Sequence, residues 1–325
     1  MPSMIDRRNL LATGLAGATA LAAPSLVEAQ DRYPARPVEL VVGFAAGGGT
    51  DTTARTVARY LEAELGGPVV VNNRPGASGE LALAAIARAA PDGYTLGVTN
   101  YPGLLSLPIE RTVGFKAESF QYLANMVSDP SAFSVAADGA IGSIQDLVAA
   151  AKTKPGTVTF GSTGIGTDEH LALSLFEQLT GAKLSHVPYR GAGPLGTDLL
   201  GRHIDVAGLN VGEAVPLGDK VRIVAQGGAK RSRFVPDAPT FREAGFAFEM
   251  RSERGIIAPR GLPAAVAKRL TDALAAIAGS PDFVRQIESQ YTELFYIPDA
   301  AWENHLRRED EVLRRLWAER PWSST

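Results

Sequence analysis

Two periods alternate along this chain. Short apolar runs of strand length give way repeatedly to segments whose apolar residues recur every three to four positions. Val38–Phe44 is the first such run and predicts a buried strand; after three glycines, Ala54, Val57, Ala58, Leu61 and Leu65 fall on one face of a helix. A short strand at Val69–Val71, the turn Asn73-Arg74-Pro75-Gly76, a helix near Leu81–Ala89 and a strand at Tyr94–Thr99 complete a βαβαβ series. A second series follows the polar stretch at Ser128–Pro130. There Ser143 and Asp146 have the spacing of a capping box, opening a helix that ends near Lys154. Strands are expected at Thr157–Gly161, Leu184–Pro188, Ile204–Leu209 and Val221–Gln226, with a helix at Asp168–Leu179. Helical patterns at Pro263–Ala278, Pro281–Tyr291 and Asp299–Trp317 close the chain and are expected to pack back on the first series. The alternation predicts an α/β protein with mainly parallel strands. Two series with a late return predict two lobes around a cleft, residues 30–128 with 250–325 forming one and 129–249 the other.

Composition narrows the function. The chain has 325 residues, 45% of them hydrophobic and 21% charged, enough to build two cores. Its net charge of −3, with no basic run interleaved with aromatics, carries no nucleic-acid footprint. The absence of cysteine removes disulfides, thiolate metal sites and cysteine nucleophiles. His170, His186, His203 and His305 show no metal-ligand spacing, so neither a metal nor a cofactor is expected. At the start, Arg7 and Arg8 precede an apolar stretch, Leu10–Ala23, and Val27-Glu28-Ala29 places small residues at the −1 and −3 positions. That reads as a cleavable export signal over residues 1–29, too short in its apolar part to span a bilayer. The arginine pair followed by Asn9-Leu10-Leu11 resembles a twin-arginine signal, a Sec signal with two chance arginines being the alternative.

The chemistry concentrates where strands meet helices through glycine. In GFAAGGGTDTTAR, residues 43–55, Gly47, Gly48 and Gly49 let a ligand approach the backbone, and Thr50 or Asp51 can cap the helix. The free N–H groups of a helix start, with its dipole, attract a negative group. A phosphate loop would need Lys and Ser or Thr after the last glycine, where Thr50-Asp51 stands; the dinucleotide fingerprint is absent too. Asp51 would repel a phosphate, whereas a smaller carboxylate can lie over the N–H groups. A second junction, GSTGIGTDEH at 161–170, repeats the arrangement with Ser162, Thr163 and Thr167 as hydroxyl donors and Gly164 among its glycines. Two helix starts facing each other across a cleft would grip a small anionic solute. Ser162 and His170 also permit an exported α/β serine hydrolase as the alternative, although the Gly-x-Ser-x-Gly elbow is absent.

Six segments in register carry a family resemblance: YPARPVELVVGFAAGGGTDTTAR, VVVNNRPGASGELA, PDGYTLGV, GSTGIGTDEHLALSLFEQLTG, HVPYRGAGPLGTDLLGRHIDV and PDAPTFREAGF. Across residues 33–317 the chain resembles the periplasmic solute-binding proteins of tripartite tricarboxylate transporters, also called Bug receptors. The resemblance implies a two-lobed, type II-like periplasmic binding protein fold, each lobe a mostly parallel sheet flanked by helices. It implies a non-catalytic, monomeric receptor that captures a small carboxylate and delivers it to an integral-membrane permease. Carried onto this sequence, the ligand loops are Phe44, Ala45, Ala46, Gly47, Gly48, Gly49, Thr50 and Asp51, then Ser162, Thr163, Gly164 and Thr167. Asn210 matches a pocket-facing asparagine of relatives; its plainer role is a strand-end cap. Three departures stand out: Ala46 for a proline, Gly208-Leu209 for Phe-Asp, and Glu253-Arg254 where an aromatic usually stands at the first position. Arg254 in the cleft would pair with a ligand carboxylate, and Glu253 there would favour a cationic ligand. Otherwise the two pair with each other or face water.

Overall fold

The structure is a computed structural model that describes residues 33–322, so the export signal read at residues 1–29 lies outside the described residues. The chain runs through β1 (Val38–Val42), α1 (Gly49–Leu65), β2 (Val69–Asn73), α2 (Glu80–Arg88), β3 (Thr95–Tyr101) and α3 (Gly103–Glu110). It continues through β4 (Phe120–Ala136), α4 (Ile144–Thr153), β5 (Thr159–Ser162), α5 (Asp168–Thr180), β6 (Ser185–Pro188) and α6 (Ala192–Leu200). Then follow β7 (Val206–Asn210), α7 (Val211–Ala214), β8 (Val221–Gln226), β9 (Arg251–Pro259), α8 (Ala264–Ala278), α9 (Pro281–Glu288), β10 (Glu293–Pro298) and α10 (Asp299–Glu319).

The strands join in the order β2-β1-β3-β9-β4-β7-β5-β6, with β8 and β10 paired to β4 off that path. β1 is parallel to β2 and β3, and β5 is parallel to β6 and β7. Between these parallel ends β9 runs antiparallel to β3 and β4, and β4 antiparallel to β7. The sheet is therefore mixed.

The polar stretch Ser128–Pro130 does not interrupt the chain. It lies inside the 17-residue β4, whose first part pairs with β9 and whose last part pairs with β7 and β8. Pro130 sits where the ladder changes partner, opposite Arg251 at the start of β9. A proline is tolerated at such a place because the regular ladder ends there. Next to it, Ser131 donates its N–H to Met250 and accepts from Gly227, at 3.0 and 2.6 Å, and Met250 donates back to Gly227 at 3.0 Å. A Cβ on Gly227 would stand 2.1 Å from the Met250 carbonyl oxygen, so this crossing needs glycine.

α1 buries the face that its spacing predicts, Ala54, Val57, Ala58, Leu61 and Leu65. These residues share a core with Val38, Leu40 and Val42 of β1, Leu270 and Leu274 of α8, and Phe283 of α9. On the other face of the sheet, Trp302 and Leu306 of α10 join Tyr122, Leu104 and Ile86. β9 and β10 escape the sequence reading because the first opens on alternating charges and the second is half-exposed. α6 escapes it because two glycines and a proline interrupt its pattern.

Candidate functional site

α1 starts on Gly48, after Gly47 at a φ of +85° that favours glycine. Asp51, three positions into the helix, turns its carboxylate back on the loop and accepts the Gly47 N–H at 2.9 Å. It also accepts from Asn73 at 2.9 Å and pairs with Arg55. Burial alone would raise this carboxyl, but the hydrogen bonds from Arg55, Gly47 and Asn73 hold it below its ordinary value. Asp51 thus shapes the loop.

α5 starts on Thr167, whose hydroxyl donates to the Gly164 carbonyl at 2.8 Å. Thr163 donates to Glu169, in the first turn of α5, at 2.9 Å. The two helix starts meet across a cavity of about 10 Å³, the room of about one water molecule. Phe44, Gly48, Gly49 and Thr50 line it from one junction, Thr163 and Glu169 from the other, with Asn100, Ala192 and Glu213 between them. Three bonds tie residues of the first series to residues of the second: Ala45 N–H to the Arg190 carbonyl at 3.0 Å, Gly49 N–H to Glu213 Oε1 at 2.8 Å, and the Ser106 hydroxyl to the Gly166 carbonyl. Beyond the Gly49–Glu213 contact opens a larger cavity of about 420 Å³, lined by Gly47, Thr52, Thr197, Gly212 and Gln290 among others.

Comparison with known proteins bears on this geometry. The profile of the tripartite tricarboxylate transporter family receptor, TctC, matches residues 53–314. This chain belongs to that family. The TctC receptor is 33% identical to a UPF0065 protein of Cupriavidus necator over 96% of its own length and 98% of the relative's. It is 36% identical to the protein BugT of Bordetella pertussis over 78% and 79% of the two chains. Among solved structures, the periplasmic binding protein BugD superposes with a TM-score of 0.83 at 29% identity, covering 88% of this chain and 98% of that one. A Rhodopseudomonas palustris protein solved with adipate, Rpa4515, gives 0.81 at 30%, covering 88% and 96%. MatC of the same organism, solved with malate, gives 0.81 at 25%, covering 88% and 99%. The receptor therefore has the α/β fold of periplasmic solute-binding proteins, with a mixed sheet flanked by helices.

In this TctC receptor a buried charge network underlies the cavity. Arg254, 1% exposed, donates to Asp129 at 3.1 Å, to Asn210 at 2.8 Å and to Glu213 at 3.4 Å. Asn210 donates to Asp168 at 2.7 Å, and the Ser131 hydroxyl donates to the same oxygen at 2.5 Å. Glu213 Oε2 accepts the Asn210 N–H at 3.0 Å, the back half of a capping box on α7. Burial pushes Asp129 up to about 7 against the pull of Arg254, and Asp168 up to about 6. Glu169 is raised well above its ordinary value by burial and by Asp168 and Glu213. Burial works against the Arg254 charge, but Asp129 and Glu213 outweigh it and keep the guanidinium protonated.

The predicted site residues scatter around this centre. Phe44, Gly48, Gly49, Thr50 and Thr163 line the small cavity; Gly47 lines the larger one, and Ala46 is exposed. Asn210 and Arg254 lie in the buried network, with Asn210 also at the start of α7. Gly164 packs against Ser78, where a Cβ would stand 2.4 Å from the Ser78 hydroxyl. Glu253 and Arg254 neither pair with each other nor face water: alternation along β9 sends them to different partners. Glu253 is buried with Arg251 at 2.7 Å and His305 at 2.9 Å. Sequence reasoning missed Glu213, Glu169, Asp129, Asp168 and Asn100. The Asn210-x-x-Glu213 spacing of a capping box was the available signal for Glu213.

The pairing of Ser162 with His170 does not form. Ser162 is fully buried and meets His186 Nε2 at 2.7 Å, while His170 Nδ1 accepts the Gly166 N–H at 3.1 Å. The two imidazoles stack 4.4 Å apart. Burial, helped by His186, lowers His170 to about 3, and burial lowers His186 to about 4, so both are neutral at pH 7. The β6 strand, parallel to β5, carries His186 beside Ser162, a proximity that chain order hides. Among the described residues no group of three or more His, Asp or Glu is placed to hold a metal ion.

Proposed function

We propose that this TctC receptor captures a small organic acid between two lobes in the periplasm and hands it, unchanged, to a tripartite tricarboxylate-type permease. One lobe would comprise residues 30–128 and 250–325 and the other 129–249, with the Ser131–Met250–Gly227 crossing as the hinge. The observation that carries the reading is the pair of helix starts, Gly48–Thr50 and Thr163–Glu169, set on opposite walls of one cavity. Free N–H groups at such starts suit a carboxylate. The relatives solved with adipate and with malate support the class of ligand. Contacts from both walls would stabilise the closed state, and the receptor would act as a monomer. The Ser162 hydroxyl meets His186 and the Gly164 carbonyl and does not pair with His170, which supports a purely binding role.

A thermal-shift screen of residues 30–325 against mono-, di- and tricarboxylates tests this. A ligand present at about 100 times its dissociation constant adds about 2.7 kcal/mol of stability, and one or a few acids are expected to raise the melting temperature clearly. No shift with any organic acid overturns the proposal.

A further inference from the structure

Glu213 stands between two spaces. With Gly49 it lines both the cavity of about 10 Å³ at the helix starts and the one of about 420 Å³ beside it. The first has room for about one water molecule, whereas the second has the ordinary size of a small-molecule site. The hydrogen bond from the Gly49 N–H to Glu213 Oε1, at 2.8 Å, is the contact common to the two.

The carboxylate is held there from three sides. Gly49 and, at 3.4 Å, Arg254 donate to Oε1, and the Asn210 N–H donates to Oε2 at 3.0 Å. Gly49 and Glu213 lie 164 residues apart, so the bond also joins the two series of the chain. Its partners are those that an incoming carboxylate would seek, a backbone N–H in the first turn of the 17-residue α1 and a buried guanidinium. No organic acid fits a space of one water, so entry requires a wall of the small cavity to move. Glu169, the other acidic residue on that wall, is bound to Thr163 of its own junction, whereas Glu213 rests on the opposite one.

We propose that Glu213 is an internal stand-in for the ligand, an autoinhibitory carboxylate that an incoming organic acid displaces from Gly49. The inference rests on the receptor reading and adds a regulation of that same site. Displacement frees the Gly49 N–H and opens the inner cavity toward the 420 Å³ space. The binding-competent receptor is the fraction in which Glu213 has swung away, and apparent affinity falls by that fraction. Minor conformers are typically populated at about 0.1–10%, so the contact lowers affinity about tenfold or more. Because Glu213 leaves before the ligand is seated, the effect falls on association.

Stopped-flow and calorimetric titration of wild type, E213Q and E213A with malate, adipate and citrate test the proposal. Glutamine keeps the side chain's size but has one acceptor oxygen, so it cannot serve Asn210 and Gly49 together, and it offers Arg254 no charge. Alanine removes the contact altogether and repeats the test by a second route. Circular dichroism establishes that the variants fold. Both are expected to bind at least one of the acids tenfold or more tightly than wild type, through faster association with dissociation changed less than threefold. Equal or weaker binding by the folded variants makes Glu213 a structural or ligand-contacting residue and overturns the proposal. A gain carried by slower dissociation also overturns it, since that is the mark of relieved like-charge repulsion in the bound state. Either result leaves the receptor reading intact. Binding of none of the three acids by any of the proteins removes this inference, while the wider screen of organic acids decides the receptor reading by itself.

Discussion

The carboxylate of Glu213 accepts the backbone N–H of Gly49 at 2.8 Å, across a cleft whose two walls come from distant parts of the chain. One protein carboxylate thus sits on the helix start that the glycines leave open, and it does so while capping α7 and touching Arg254. Under the proposed function, a protein side chain thus occupies the position where a ligand group would lie.

Gly49 is the tightest of the three loop glycines. A Cβ there would stand 2.6 Å from Arg254 Nη2 and 2.7 Å from Glu213 Oε1, whereas at Gly48 the nearest atom is 3.4 Å away. Gly49→Ala is expected to hinder closure and weaken ligand binding on the order of 100-fold, like a misplacement of about 1 Å in a preorganised site. Gly48→Ala is expected to bind within a few-fold of wild type. Titration of both variants with the ligand found by thermal shift decides the order; equal affinities would remove Gly49 from the closing contact.

Arg254→Met removes the counter-charge of two buried carboxylates, Asp129 and Glu213. Leaving them unpaired is expected to cost about 3–5 kcal/mol in urea unfolding. Adding Asp129→Asn to that variant should return part of the loss, because the second change removes one of the stranded charges.

Asp51→Ala deletes the acceptor for the Gly47 N–H and the partner of Asn73 and Arg55. The structure assigns the α1 cap to Gly48, not Asp51, so the loss of about 1 kcal/mol expected here comes from the Gly47 loop hydrogen bond. The readout is the urea midpoint at unchanged slope; a midpoint equal to wild type would show that the loop needs no such anchor.

His170 and His186 are expected to stay neutral down to pH 5, since burial holds them at about 3 and about 4. The sign follows from proton counting: below about 6.5 the unfolded chain binds protons that the folded one refuses. Stability from these groups is thus complete above about 6.5 and is lost as pH falls, by up to about 1.4 kcal/mol per pH unit for each histidine. Imidazole shifts followed by NMR from pH 7 to 5 should be flat for both residues. Titration of either near 6.5 would mean that it is exposed.

A serine-reactive fluorophosphonate is expected to leave the folded receptor unlabelled, because the hydroxyl of Ser162 is enclosed between Gly164 and His186. Stoichiometric labelling of Ser162 would revive a hydrolytic role.

Local pattern was enough for much of this molecule. Helical spacing marks the buried face of α1, and glycine followed by Thr50-Asp51 and by Thr167-Asp168 marks both helix starts, because these are properties of neighbouring residues. The motifs in register were likewise enough for the family. The continuity of β4 through Pro130 was not legible, since its partners, β9 and β7, lie some 80 to 120 residues away in sequence. Nor could the sequence place charges: Glu253 and Arg254 are adjacent, yet strand alternation sends one to His305 and the other to Asp129. Chain order suggested His170 for Ser162, and the parallel register of β5 with β6 supplied His186 instead. The character of the cleft belongs to tertiary structure for the same reason. Asp129, Glu169, Glu213 and Arg254 come from four separate segments, and only the fold brings these charges within reach of one another. The sequence by itself determined most helices, most strands and the receptor family, through short-range periodicity and motif. Tertiary structure alone decided which charges meet, because electrostatic interaction depends on distance and dielectric, and neither is written in the order of residues.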